Sequence, residues 1–150
     1  MKKYFILLAL LILIFTYSNY GKENISKKII FTEKAPKPIG PYSQAVLIVN
    51  TLYLSGQIGL DTKTGKISEG GVKKETEIIM NNIKNILGTA GYKLENIVKT
   101  TIYLSDIKDF SSVNSIYSAF FKSDYPARET VQVAALPMAA HVEISVIAVK

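Results

Sequence analysis

The chain has 150 residues, room for one domain with a real core, and a formal charge of +6 from 18 basic and 12 acidic side chains. It has no cysteine and a single histidine, His141, which excludes disulfides, thiolate catalysis, a lipidated cysteine and any metal site built from Cys or several His, a hydrolytic zinc among them. The lysines are scattered among Asp and Glu rather than gathered into a track, so no nucleic-acid partner is expected, and no G-x-S-x-G elbow accompanies His141 to make a Ser-His-Asp triad.

Met1-Lys2-Lys3 is a short basic start, Tyr4 to Phe15 is apolar without interruption, and Thr16 to Lys22 is small and polar. That is the order of a secretory signal, and the apolar run is shorter than the roughly 20 residues a spanning helix needs. Cleavage after Ser18 would put Thr16 and Ser18 at the small-residue positions. No A-x-A stands there, so the alternative is an uncleaved membrane anchor over residues 4–17. The expectation is a signal peptide or anchor in residues 1–24, export to the periplasm or medium, and a single domain from 25 to 150.

Ile29-Ile30-Phe31 reads as an edge strand. Ala35 to Tyr42, with three prolines and a glycine, is a stiff extended loop that delivers Tyr42, either to pack or to line a site. Gln44–Val49 and Thr51–Ile58 are two strands of a hairpin around Asn50. Ser55-Gly56, near the end of the second, offers a hydroxyl and a backbone that a ligand can approach closely. Val72, Thr76, Ile79, Ile83, Ile86, Leu87 and Ala90 recur at spacings of three and four, the clearest helix, and Gly91 stops it.

Ile97–Leu104 is β-branched and returns as a strand. Asp106 or Asp109 can cap a second helix whose buried side is Phe110, Val113, Ile116, Tyr117, Phe120 and Phe121. Asn114 sits on or near that apolar side, where its amide needs a partner: its own helix surroundings or a ligand.

Arg128 is the only arginine in the chain. A guanidinium is a planar, always-charged fork that grips a carboxylate or phosphate through two parallel bonds, which lysine cannot do; the plainer reading is a surface arginine at a strand start. Arg128–Val133 is a strand, with Arg128, Thr130 and Gln132 on one face. The last strand, Val142–Val149, alternates Val142, Ile144, Val146 and Ala148 with Glu143, Ser145, Ile147 and Val149. Both sets are apolar toward the end, so both faces are expected to be covered. The helices cover one, and another subunit is the economical cover for the second. Glu143 would then point into a half-dry interface, held for acid–base work or paired with a lysine. Strands and helices in this order make an α+β sandwich, a mixed sheet with two helices on one face.

Five segments carry a resemblance. They are Ala35-Pro36 with Ile39 to Gln44, Leu54 to Ile58, Ile97 to Thr101, Val113-Asn114 to Tyr117 with Phe120-Phe121, and Tyr125 to Arg128 with Val133 to Pro137 and Val142 to Ile144. In that order and spacing the chain resembles the Rid family, the reactive intermediate imine deaminases, also called YjgF-like proteins.

The resemblance implies a chorismate-mutase-like subunit in a homotrimer, with clefts between subunits. It also implies hydrolysis of 2-imino or 2-enamino acids to 2-keto acids and ammonia, with no metal or organic cofactor. By the same resemblance Arg128 grips the substrate carboxylate, Glu143 holds or activates the attacking water, and Thr130 presents backbone groups. Tyr42, Ser55, Gly56 and Asn114 then line the cleft. Thr130 replaces a frequent cysteine, and Ser145 replaces a second acidic residue, which leaves the acid–base step to Glu143. The competing readings are a non-catalytic trimeric module that holds small carboxylates, which export favours, and a ribonuclease, against which the scattered charge and single histidine argue.

Overall fold

The computed structural model describes residues 26–150; the expected signal or anchor lies outside these residues. The elements run β1 (Lys27–Ile30), β2 (Ala45–Ile48), β3 (Thr51–Leu54), β4 (Gln57–Ile58), α1 (Gly71–Thr89), β5 (Ile97–Leu104), α2 (Phe110–Ser118), β6 (Ala127–Gln132) and β7 (Val142–Val149). The strands form one mixed sheet in the order β1-β2-β3-β7-β5-β6, with the short β4 also paired to β7. All pairings are antiparallel except β5 with β6. A parallel pair needs a crossover connection, and α2 supplies it.

Of the periodic side chains expected of the first helix, Thr76, Ile79, Ile83, Ile86 and Leu87 have no exposed surface, Met80 joins them, and Val72 and Ala90 are partly buried. They lie on Leu52, Ile102, Leu104, Val142, Ile144, Val146 and Ala148, so the main core is a layer between the helices and one sheet face, and Ile58, Leu60 and Ala140 form a smaller second cluster. Each of these large aliphatic side chains stabilises the fold by about 1.5–3 kcal/mol on burial. Their strand partners are every second residue, which is why β7 alternates buried and half-buried along its whole length. Glu143, Ser145, Ile147 and Val149 thus form the other face, which no helix among the described residues covers, and Tyr53 on that side is 47% exposed. The α+β arrangement is the one expected, with both helices on one face.

Three local expectations need correction. The strand anticipated over Thr51–Ile58 breaks at Ser55-Gly56 into β3 and β4. Ser55 leaves the ladder with β7 and its N–H bonds the Gln44 carbonyl at 3.1 Å. Asp109 makes no side-chain cap on α2. Asp106 caps the short 3-10 turn Ile107–Asp109 instead, accepting from the Lys108 N–H at 2.9 Å. The strand anticipated over Arg128–Val133 runs one residue earlier, although the Val133 N–H still reaches the Leu104 carbonyl at 2.9 Å.

Candidate functional site: two half-sites on opposite faces

Arg128 sits near the start of β6, paired in parallel register with Thr100 of β5. Thr100 is fully buried on the helix side of the sheet, and its hydroxyl shares a 3.0 Å hydrogen bond with the Tyr117 hydroxyl of α2. The guanidinium therefore stands over α2, 5.0 Å from the centre of the Tyr117 ring and 5.8 Å from that of Phe110. Aromatic faces attract a cation without neutralising it. Tyr117 continues into an aromatic row, 4.9 Å to Phe121 and then 5.9 Å from Phe121 to Tyr125. Burial pushes the Tyr117 hydroxyl pKa up, while its bond to Thr100 and the charge of Arg128 pull the other way.

Asn114, Tyr117, Tyr125, Pro126 and Arg128 line a cavity of about 400 Å³. Among the described residues no carboxylate lies within ion-pair distance of Arg128. Its neighbour Glu129 points to the opposite face, where Lys99 and Thr101 bind it, and those two hydrogen bonds lower its pKa. The fork of Arg128 is thus charged, oriented by two rings and without an internal anion. Thr130 shares the face of Arg128 and pairs with Ile102, but it is not part of the cavity wall.

The second half-site lies elsewhere. Ile39, Gly40, Tyr42, Ser55, Gly56, Ile58, Pro137 and Glu143 line a cavity of about 330 Å³. The proline-rich loop is held there by one buried side chain. The Gln44 amide accepts from the Thr32 N–H at 2.7 Å and donates to the carbonyls of Thr32, at 3.0 Å, and Pro36, at 2.8 Å. Tyr42 is 48% exposed, and its hydroxyl accepts from the Ile39 N–H at 3.2 Å, folding the loop over the cavity. Ser55 donates to the Ser43 carbonyl at 2.7 Å, so its proton is committed and only its lone pairs remain for a ligand.

Glu143 pairs with Ile58 across the β4–β7 ladder. Its carboxylate is half-buried, and desolvation raises its pKa, because burial penalises the charged form. No lysine reaches it among the described residues, so the salt-bridge alternative for Glu143 does not hold there. Gly56 is what makes room for it. A Cβ at residue 56 would lie 2.7 Å from Cδ and 2.9 Å from Cγ of Glu143, closer than carbon atoms pack.

The two half-sites do not meet within one chain. Arg128 follows Thr100 onto the helix-covered face, whereas Glu143 alternates with the buried Val142 and Ile144 and so occupies the bare face. The structure brings Tyr42, Ser55, Gly56 and Glu143 together, and separately Asn114 with Arg128. Tyr117 is buried as its helical spacing implies, but Phe110, expected on the same buried side, is 40% exposed at its rim, because spacing identifies an apolar face and not what stacks on its edge. Pro137 and Ile39 stand within the segments that carry the resemblance, but no role is attached to them there.

A match to the Endoribonuclease L-PSP family model covers residues 32–150. The 2-iminobutanoate/2-iminopropanoate deaminase of Homo sapiens is 48% identical over 127 residues, 85% of this chain and 93% of the relative. A RutC family protein of Pyrococcus horikoshii is 48% identical over 124 residues, 83% of this chain and 98% of its own. Among solved structures, the Rid-family protein YyfA from Yersinia pestis superposes with a TM-score of 0.81 at 46% identity, covering 83% of this chain and all of that one (100%). TdcF from E. coli with bound serine superposes with a TM-score of 0.79 at 39% identity, covering 82% and 98%. The single mixed sheet, its two helices and this span of matched sequence lead to one conclusion: the chain belongs to the Endoribonuclease L-PSP family, together with the Rid proteins it resembles.

Proposed function

We propose that this protein is a cofactor-free hydrolase that deaminates reactive 2-imino and 2-enamino acids to 2-keto acids and ammonia. The observation that carries the reading is the pairing of an unneutralised arginine fork with a desolvated carboxyl on a chain that matches imine deaminases over most of its length. Arg128 grips the substrate carboxylate through two parallel bonds, with Tyr117 and Phe110 fixing the plane of the fork. Asn114 lies beside it and supplies an amide to the imine end or the side chain of the substrate. Thr130 presents backbone groups next to Arg128.

An imine carbon is electrophilic once its nitrogen is protonated, so the reaction needs a fixed substrate and a placed water. Glu143 takes a proton from that water as its oxygen bonds to the imine carbon. The proton then passes to the nitrogen of the carbinolamine, and as the C–N bond breaks Glu143 takes the proton of the carbinolamine hydroxyl, so that ammonia leaves and the carbonyl forms. A carboxyl whose pKa is raised suits both halves of this exchange. An enamine enters by the same route after protonation at carbon. Tyr42 and the lone pairs of Ser55 border the water, with Gly56 leaving space for the carboxylate.

The two half-sites stand on opposite faces of one sheet, so the working cleft lies between copies of the chain. A homotrimer, in which the bare sheet face of each subunit is covered by its neighbours, brings Arg128 of one subunit to Glu143 of the next. The segment 1–24 is an appended export signal, or an anchor if it is not cleaved; the family match, which begins at Thr32, supports this. Amino-terminal sequencing of the protein from its native host distinguishes the two.

The test is suppression of semicarbazone formation when an amino-acid oxidase or dehydratase generates the imine in the presence of the protein. Binding of small carboxylates without suppression would replace the enzyme by a binding module. Subunit mixing tests the shared cleft. Arg128→Ala and Glu143→Gln trimers, each inactive, are expected to regain about a quarter of wild-type activity when reassembled at equal ratio, since a mixed trimer holds one intact site in three. No recovery after verified exchange would place the whole site in one subunit.

A further inference from the structure

Glu75 stands on the buried stripe of α1 and has no exposed surface. A buried carboxylate is costly unless it is bonded or paired. Among the described residues its partners are one residue, the only histidine: Oε2 accepts from the His141 backbone N–H at 2.9 Å, and Oε1 bonds Nδ1 of the His141 ring. His141 immediately precedes β7, two residues before Glu143. The turn leading into it, Pro137–Ala139, has Met138 and Ala139 at positive φ, so the chain arrives from an irregular loop. The same residue is tied on its other side, its carbonyl accepting from the Ser105 N–H at 3.0 Å.

Glu75 also touches the other strand that frames Glu143. A Cβ at Gly59 would lie 2.6 Å from Cβ and 2.8 Å from Cα of Glu75, so residue 59 is glycine where α1 presses on the chain. Gly59 follows Ile58, the ladder partner of Glu143. The two-residue strand β4 thus lies between two glycines, and each clears a glutamate: Gly56 for Glu143 on the bare face, Gly59 for Glu75 on the helix face.

We infer that Glu75, through its doubly bonded contact with His141, is a positioning residue that fixes the start of β7 and so sets where the Glu143 carboxylate lies. This rests on the role given to Glu143 above. The half of the cleft that holds the substrate carboxylate is on another strand and does not depend on the pair.

The variant to make is His141→Ala, which keeps the backbone bond but strips the buried carboxylate of its ring partner, a loss on the scale of a charged hydrogen bond. Deaminase assays on the full chain are expected to show kcat lower by about tenfold with KM within about twofold. Glu75→Gln still accepts from the His141 N–H and is neutral, so the double variant His141→Ala/Glu75→Gln is expected to recover kcat to within about threefold of wild type. A merely structural loss would not be rescued in kcat by neutralising the partner. Wild-type kcat in His141→Ala, a rise in KM alone, or a double variant no better than the single would each overturn the inference. If His141→Ala does not fold, the double variant His141→Asn/Glu75→Gln, in which both groups stay polar, stands in for the rescue: kcat within about threefold of wild type is expected, and a fall of about tenfold or more overturns the inference. Glu143→Gln run alongside separates the two proposals. Full activity in that variant removes the mechanism, whereas an inactive Glu143→Gln beside an unaffected His141→Ala removes only the role of Glu75.

Discussion

The two half-sites hold their charges by opposite means. Arg128 stands in the open over two aromatic rings, and its charge is kept by a group too basic to lose it. Glu143 stands half-buried with no counter-charge among the described residues, and its proton affinity is raised by loss of water. The first arrangement suits a permanent anchor and the second suits a group that must change its protonation state during a reaction. On the proposed roles, binding and chemistry are divided between two faces of one sheet.

The largest effect expected from upsetting this division comes from the anchor. Arg128→Lys keeps the charge but replaces the fork with a point charge, and a fall in kcat/KM of about a hundredfold or more is expected in the imine-coupled assay. Turnover near wild type would show that orientation by the fork does not matter and that the cavity needs only a cation.

Next comes the chemical half. Gly56→Ala adds a methyl group where the Glu143 carboxyl now lies, at a position whose backbone is open to alanine. The side chain can swing aside, so the fold is expected to survive. Activity is expected to fall about tenfold or more with KM little changed, measured by steady-state kinetics beside a thermal melt. An active Gly56→Ala would mean that the carboxyl need not occupy this place.

The titration of Glu143 has a stability signature. Its folded pKa lies above its unfolded one, so the folded state binds the proton more tightly. The burial penalty is absent below the unfolded pKa, grows as pH rises through the folded pKa, and is full above it. Glu143→Gln removes the penalty. The variant is expected to melt higher than wild type at neutral pH and to lose that advantage at pH values below the ordinary carboxylate range, as followed by melts across a pH series. A constant offset at all pH values would assign the difference to packing.

The smallest effect on activity is expected at Tyr117. Tyr117→Phe keeps the ring beneath Arg128 but leaves the fully buried Thr100 hydroxyl without its partner. Stability should fall by about 1–3 kcal/mol in denaturant titrations, with kcat/KM nearly unchanged. A large loss of activity would show that the hydroxyl, and not the ring, serves the cleft.

How much of this could be read from the amino acids depends on whether the cause is local. Arg128 stood out because it has no rival in composition, and Glu143 because strand alternation is a local rule. The stripe of α1 was legible for the same reason. The need for glycine at residue 56 was not, since it makes room for a carboxylate 87 positions on (143 − 56), and no window of sequence contains both. Alternation also gave only relative faces. Which side of β6 meets the helices follows from its parallel register with β5, so the separation of Arg128 from Glu143 needed the assembled sheet. Glu75 escaped notice because a charged residue on a helix is ordinarily read as solvent-facing, and the histidine that accounts for its burial is 66 residues away.

The solitary arginine has a practical consequence. A chain with one guanidinium and no thiol offers an arginine-selective dicarbonyl reagent a single address, and offers an arginine-specific protease a single cut, between Arg128 and Glu129. Covalent labelling, mass mapping and loss of turnover can therefore be compared one for one on the unaltered protein, without a background of other modified sites to subtract.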